Sequence, residues 1–298
     1  MKVLVTGAKG FIGSELVRNL VGIGYMVQEI NSENTTGLFR ALNLLNSSDI
    51  KQISSKIVEY DPDIVFHLAS KTSIKQSWEN PFEFIKQNIA ISENLLEAIQ
   101  LSGTHPLLIL LSTSAVYDDS DRNISETFRL APSSPYAISK LSIETMALRY
   151  AKTIIVRPFF TIGPNRRGDV IDEWLSQIIY SKNLGSSGVL AVGDLSLERD
   201  YLDVEESARL LIEIAEKGLV GQIYNLCSGR THSLKQICDS LIQVTGSSSI
   251  MEIETKSPNN MKVKKRVVGD VSKLLSLGIK PNFQLEESIK RICRARVI

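Results

Sequence analysis

Six short hydrophobic runs recur along the chain, and stretches with helical spacing separate most of them. The runs fall at 2–6, 25–30, 64–68, 107–111, 153–157 and 222–226. Most are apolar nearly throughout instead of alternating, which suits strands buried on both faces of a parallel sheet. Helical spacing appears at 11–22, 50–59, 82–100, 136–150, 170–182, 204–217, 234–245 and 285–292. Strands alternating with helices predict an α/β fold built on a doubly wound parallel sheet. After Arg157 the pattern loosens, and Gly163-Pro164, Gly185, Gly188 and Gly193 punctuate it. The expected organisation is a larger lobe over 1–160, to which about 203–226 returns, and a smaller lobe mainly within 161–298.

Composition narrows the class. The chain has 298 residues, 43% of them apolar, enough for a sizeable core. A net charge of +1 leaves no electrostatic footprint for nucleic acid. Cys227, Cys238 and Cys293 have neither metal nor disulfide spacing and read as reduced thiols of a cytoplasmic protein. The N-terminal apolar run lacks a signal-peptide layout. No stretch approaches the roughly 20 apolar residues that span a bilayer, so no membrane association is expected. Three scattered histidines, His67, His105 and His232, give no helical pair for a metal. His67 reads as a structural strand-end residue.

Chemistry begins at the first strand. Gly7-Ala8-Lys9-Gly10-Phe11-Ile12-Gly13 joins it to the first helix. Gly7 suits a sharp turn, Gly10 a close approach to a pyrophosphate, and Gly13 close packing of the new helix. The helix N-terminus then offers free N–H groups and a favourable dipole to an anion. The spacing is G-x-x-G-x-x-G rather than G-x-G-x-x-G, and its position between strand and helix gives it weight.

A second motif lies at Tyr136-Ala137-Ile138-Ser139-Lys140. Pro135 and Ser133-Ser134 suit a helix start, and Ile138, Leu141, Ile143, Met146, Ala147 and Tyr150 suit an apolar face. On a helix, Tyr136 and Lys140 are neighbours. A nearby cation is expected to lower the phenol pKa and make Tyr136 an acid or base. Thr113, at the end of the strand at 107–111, is expected to bond a substrate oxygen and share that proton.

Together these residues resemble the extended short-chain dehydrogenases/reductases, in the nucleotide-sugar epimerase, dehydratase and reductase group. The resemblance runs through residues 5–13, 63–69, Asn88, 94–98, 112–117, 136–140, Arg157-Pro158, Gly163-Pro164, 199–204, 221–226 and 269–274. It implies a Rossmann-type NAD(P)-binding domain over 1–160 and a substrate-binding lobe mainly over 161–298. The implied catalytic set is Thr113, Tyr136 and Lys140. The implied cofactor contacts are Gly7, Lys9, Gly10, Phe11, Ile12, Gly13, Asn31, Asn43, Leu44, Leu68, Ala69, Ser70, Asn88, Tyr136, Lys140 and Pro158. Asn31 stands where relatives preferring NAD carry an acid, which leans the choice between NADP and NAD toward NADP. Glu33 and Arg40 are further candidates near the ribose. Asn43-Leu44 replaces an acid that contacts adenine in relatives.

For the nucleotide-sugar substrate, the implied contacts are Thr72, Ser73, Ser114, Thr161 and Arg199, with Trp78 near the sugar. Arg199 matches a diphosphate-gripping arginine, with a salt bridge to Asp200 or Asp203 as the alternative. Arg166 and Arg167 are further candidates. Dehydratases of this group carry acids where Ser114-Ala115 stand here, which disfavours 4,6-dehydration. Ala115 also takes the place of the cysteine that epimerising reductases use. Hydride transfer at C4 remains. Similarity of 192–201 and 268–274 to GDP-4-keto-6-deoxy-mannose reductases favours reduction of a 4-keto-6-deoxy sugar. The alternatives are a 4-epimerase and a non-catalytic nucleotide-binding regulator. The family also implies a homodimer through a four-helix bundle formed by the helices at about 82–100 and 136–150.

Overall fold

The computed structural model describes residues 1–31, 37–39, 42–150, 152–183, 188–247, 251–255 and 264–297. The first part of the chain runs β1 (Lys2–Thr6), α1 (Phe11–Gly22), β2 (Met26–Ile30), α2 (Ile50–Tyr60), β3 (Ile64–His67), α3 (Ile74–Glu79), α4 (Pro81–Ser102), β4 (Leu107–Leu111), α5 (Pro135–Tyr150) and β5 (Thr153–Pro158). It continues through β6 (Phe160–Ile162), α6 (Val170–Asn183), β7 (Gly188–Val192), β8 (Glu198–Arg199), β9 (Tyr201–Asp203), α7 (Val204–Lys217) and β10 (Ile223–Leu226). The last part comprises β11 (His232–Ser233), α8 (Leu234–Thr245), β12 (Met251–Thr255), β13 (Arg266–Val267), α9 (Ser272–Ser276) and α10 (Leu285–Val297).

The hydrophobic runs make one six-stranded sheet in the order β10-β5-β4-β3-β1-β2. All of its pairings are parallel. Alternate strand residues face opposite layers. Val3, Val5, Phe66, Ile109, Leu111, Ile154 and Val156 join a core with α1, α6, α7, α8 and α10. Leu4, Val65, Leu108, Leu110 and Ile155 join a second core with α2, α4 and α5. Each such side chain contributes about 1.5–3 kcal/mol by leaving water. Helices on both faces explain why the strands read as apolar runs.

The order in which strands are added reverses at β1, whose neighbours are β2 on one side and β3 on the other. Ligands of open α/β sheets bind beyond the carboxyl ends of strands at such a point. The connections after β1 and β3 meet there.

Away from this sheet, the strands are short. β6 pairs with β9, β7 with β12, and β8 lies between β11 and β13. Strands of two or three residues carry no readable period, so the sequence pattern did not reveal most of them. In the stretch 203–226, α7 packs on α1 and β10 extends the main sheet. The first core also takes in Trp174, Ile237 and Ile289, so apolar packing is continuous across the two expected lobes. Two C-terminal arginines that the sequence left without a role tie α10 down. Arg296 pairs with Asp172 at 2.6 Å, and Arg291 pairs with Asp203.

Candidate active site

The glycine turn is built as its residue types require. Gly7 has φ +72, and a Cβ there would lie 2.7 Å from the Ala69 amide nitrogen. A Cβ at Gly13 would lie 2.2 Å from the Gly7 carbonyl oxygen, so α1 starts hard against the turn. No side chain caps α1 at Gly10. That leaves the first N–H groups of α1, at Phe11, Ile12 and Gly13, for an incoming anion.

Beside this turn lies a cleft of about 440 Å³. Gly7, Lys9, Gly10 and Asn31 line one part of it, Asn43 and Leu44 another, and Leu68, Ala69 and Ser70 the side below β3. Nine residues expected to contact a cofactor therefore share one cavity. Its size, its glycine floor and the uncapped helix start fit a dinucleotide. Asn31 does not simply face the cleft. Its Oδ1 accepts from the Lys9 amide at 3.1 Å and its Nδ2 donates to Glu29 at 3.1 Å. Glu33 and Arg40 lie outside the described residues.

Asn88 serves the cleft indirectly. Its Oδ1 accepts from the Lys71 amide at 2.8 Å, and its Nδ2 donates to the Lys71 carbonyl at 3.0 Å and to Ser139 Oγ at 3.0 Å. It thus fastens the segment after β3 to the turn of α5 between Tyr136 and Lys140. Pro158 ends β5, opposite Leu226 of β10, and is not among the residues bordering the cleft.

Thr113, Tyr136 and Lys140 come together at the ends of β4 and α5, all three at least nine-tenths buried. The Tyr136 hydroxyl lies close enough to the Thr113 side chain to feel its polarity. Phe84 of α4 packs edge-on against the Tyr136 ring, with centroids 6.5 Å apart. Lys140 Nζ donates to the Leu111 carbonyl at 2.8 Å. The electrostatics differ from the sequence expectation. Burial pushes the Tyr136 phenol up from its ordinary value, and the opposing pull comes from Thr113 and the charge of Arg166, not from Lys140. Burial lowers Lys140 to about 8, against the charge of Glu144. The ammonium has turned to a backbone carbonyl, which explains its small effect on the phenol. Ile138, assigned to the apolar face of α5, is 42% exposed.

His67 is structural. It lies 2.7 Å from Thr6 Oγ1 through Nδ1 and 2.8 Å from Ser92 Oγ through Nε2. Burial lowers its pKa to about 3, with help from the charge of Lys140.

The expected substrate residues are dispersed. Ser114 and Thr161 are buried, and the Thr161 hydroxyl lies 3.5 Å from Ser207 Oγ. Ser73 caps α3 by accepting from the Gln76 amide at 3.2 Å, while Thr72 and Trp78 are exposed. Arg166 sits 5.2 Å over the Phe11 ring and pairs with Asp169 at 3.1 Å. Arg167 pairs with Asp172 at 3.3 Å.

Arg199 is 8% exposed and has no ion pair among the described residues. Its Nη1 donates to the carbonyls of Glu198 and Lys265 at 2.8 and 3.2 Å, and the guanidinium lies 5.4 Å from the Phe160 ring centroid. The salt-bridge alternative is therefore not realised. Asp203 instead caps α7, and Asp200 gathers loops. Asp200 accepts from the Ser228 amide and hydroxyl at 2.7 and 2.6 Å, from the Gly229 amide at 2.9 Å and from the Gly269 amide at 3.1 Å. Burial raises its pKa to about 6 against those hydrogen bonds.

Sequence reading missed two residues here. Lys264, half-buried and close enough to feel the charge of Arg199, donates to the Tyr117 carbonyl. Glu144 is completely enclosed, and its spacing, one turn beyond Lys140 on the same helix, was a usable signal.

Comparison with known proteins agrees with this geometry. Residues 3–227 match the family described as NAD dependent epimerase/dehydratase family. The GDP-6-deoxy-D-mannose reductase of Pseudomonas aeruginosa is 27% identical over 304 residues, covering 98% of this chain and 95% of that protein. The solved structure of RMD from Pseudomonas aeruginosa complexed with NADPH superposes with a TM-score of 0.86 at 25% identity, covering 99% of this chain and 98% of that one. UDP-glucose 4-epimerase from Thermotoga maritima, solved with UDP-glucose, gives 0.84 at 27% identity, with coverage of 99% and 98%. With the glycine turn, the parallel sheet and the Thr113–Tyr136–Lys140 cluster already in place, the match is decisive: the chain belongs to the NAD dependent epimerase/dehydratase family.

Proposed function

We propose that this protein is an NAD(P)-dependent nucleotide-sugar oxidoreductase that reduces an NDP-4-keto-6-deoxyhexose at C4. The observation carrying this reading is the enclosed Thr113–Tyr136–Lys140 cluster, joined through Asn88 to the dinucleotide-sized cleft. When bound, NADPH or NADH supplies the hydride. Tyr136 holds the proton destined for the C4 oxygen. Its elevated pKa keeps the phenol protonated, as an acid acting in the reductive direction must be. Thr113 orients the same oxygen. Lys140, when charged, is a donor to the nicotinamide ribose.

Gly7, Gly10 and the start of α1 would hold the pyrophosphate, with Asn43 and Leu44 toward the adenine. Asn31 brings no negative charge against a 2′-phosphate, which supports NADPH. Arg199 supports a nucleotide diphosphate. A buried guanidinium without a carboxylate suits such an anion. Lys264 adds a second cation nearby. Ser114 and Ala115 provide no acid or base for dehydration.

The test is the absorbance of the reduced nicotinamide, using NADPH or NADH with GDP-, dTDP-, CDP- and UDP-linked 4-keto-6-deoxy sugars. Stoichiometric oxidation with one of them supports the reductase. A second reading, a 4-epimerase, draws on the family match and the Thermotoga relative. No net oxidation, together with inversion at C4 of ordinary NDP-hexoses, would establish it instead. Absence of any turnover would favour a nucleotide-binding regulator.

The same reading includes a cytoplasmic homodimer formed through α4 and α5. Phe82 at 85% exposure, with Ile138 and Leu148, supplies apolar surface on those helices for a partner copy.

A further inference from the structure

Behind the cluster lies a charged pair that the proposed chemistry does not use. Glu144 of α5 and Arg157 of β5 are 3% and 2% exposed. Arg157 Nε donates to Glu144 Oε1 at 2.9 Å and Nη2 donates to Oε2 at 2.6 Å, a two-pronged pairing. Replacing such a pair with well-packed apolar residues is often neutral or stabilising. Packing alone therefore gives little reason for two charges here.

Their other contacts supply one. The Ser112 hydroxyl donates to Glu144 Oε1. The Arg157 guanidinium lies 4.8 Å from the Tyr117 ring centroid, and the Tyr117 hydroxyl donates to Asn225 at 2.7 Å. Both ends of the segment 112–117, which carries Thr113, are thus attached to the pair. Glu144 also stands one helical turn beyond Lys140 and two beyond Tyr136. Lys140 reaches back to Leu111, immediately before Ser112. The pair braces β4, β5 and α5 at the place where the cluster is assembled.

We propose that Glu144 is a positioning residue for the reaction: it fixes the end of β4 against α5, so that Thr113 meets Tyr136, and it is the counter-charge of Lys140. The proposal rests on the catalytic reading of Thr113, Tyr136 and Lys140. The titratable and charged groups around Lys140 are Tyr136 and Glu144 on its own helix, Arg157 of β5, which pairs with Glu144, and His67 at the end of β3. His67 is held neutral by burial. Tyr136 stays protonated over the working range. Glu144 is then the charge that favours the ammonium. A function that needs charged Lys140 falls as pH rises through about 8. Removing the Glu144 charge moves that fall to lower pH.

The experiment uses the full-length protein and the double variant Glu144→Gln/Arg157→Met, which removes both charges and strands neither. Turnover and the affinity for NADPH, read by fluorescence, are followed from acid to alkaline pH. The expected result is kcat down about tenfold with KM within about twofold, and an alkaline limb lowered in both profiles by less than a full pH unit, because the Arg157 charge leaves with that of Glu144. Ser112→Ala cuts only the tie to β4; its kcat falls about threefold with the alkaline limb unmoved. A folded double variant with the original limb and kcat overturns the proposal. If the double variant does not fold, Glu144→Asp decides, because it keeps the charge and shortens the reach. Lower kcat with the original limb supports positioning, and unchanged kcat overturns it. Tyr136→Phe separates the two levels. Normal turnover in that variant overturns the catalytic reading itself. Its inactivity beside a normal double variant overturns only the role of Glu144.

Discussion

The half of the molecule around the main sheet and the part beyond β5 share one apolar core but are aligned by different means. The main sheet is aligned by parallel backbone pairing and by side chains that alternate between two apolar layers. Its turns are set by steric fit, as at Gly7 and Gly13. Beyond β5, helices pack on the same apolar core, while strands of two to five residues and single polar side chains join the segments between them. Asp200 alone gathers the loop after β10 and the end of β13. An extended apolar pattern tolerates a weakened contact because many others remain. A polar junction does not, because losing one acceptor strands several buried donors together.

The largest effect tests what the main-sheet side is for. Tyr136→Phe should lower turnover by at least about a hundredfold, as expected for a lost acid, while circular dichroism and NADPH affinity stay normal. Near-normal turnover in the folded variant would remove Tyr136 from the chemistry. Next is the steric rule. Gly13→Ala should weaken NADPH binding and destabilise the fold by about 2–3 kcal/mol, because the new methyl group meets the Gly7 carbonyl. Calorimetry and NADPH titration read both, and an unaltered Tm would show that the turn is not so constrained.

On the other side of the comparison, Asp200→Asn should cost about 2 kcal/mol of stability, since an amide cannot accept from all the donors that the carboxylate serves. It should also raise the KM for the nucleotide sugar and leave NADPH affinity within about twofold. Equal damage to both ligands would erase the distinction between the two regions. The smallest effect sharpens it. Arg199→Met should raise the KM for the nucleotide sugar about tenfold, with little change in Tm, because among the described residues the guanidinium contacts only carbonyls and an aromatic face. Unchanged KM would move the diphosphate elsewhere.

The same contrast decides what could be read from the sequence. β1, β4, α1, α7 and α8 end where the hydrophobic pattern ends, because burial on a regular lattice imprints a period on the chain. The glycine turn was legible because each glycine answers to a steric need, and the proximity of Tyr136 and Lys140 because helical spacing is fixed. β8, β11 and β13 were not legible, since two residues define no period. Nor was the fate of polar groups. Asn31 and Asn88 were assigned by position, yet their amides are engaged by the backbone of Lys9 and Lys71. Helical spacing sets Lys140 one turn from Tyr136, but its ammonium went to Leu111. Which of several partners a side chain takes depends on the folded neighbourhood, and spacing along the chain does not encode it.

Trp174 is 2% exposed within the larger apolar core, whereas Trp78, on α3, is 52% exposed. These are the chain's two tryptophans. Their emission should therefore separate into a blue component that persists until the core is breached and a red component open to aqueous quenchers such as iodide. The protein carries its own two-colour gauge, in which α3 and the core can be followed during unfolding without any added label.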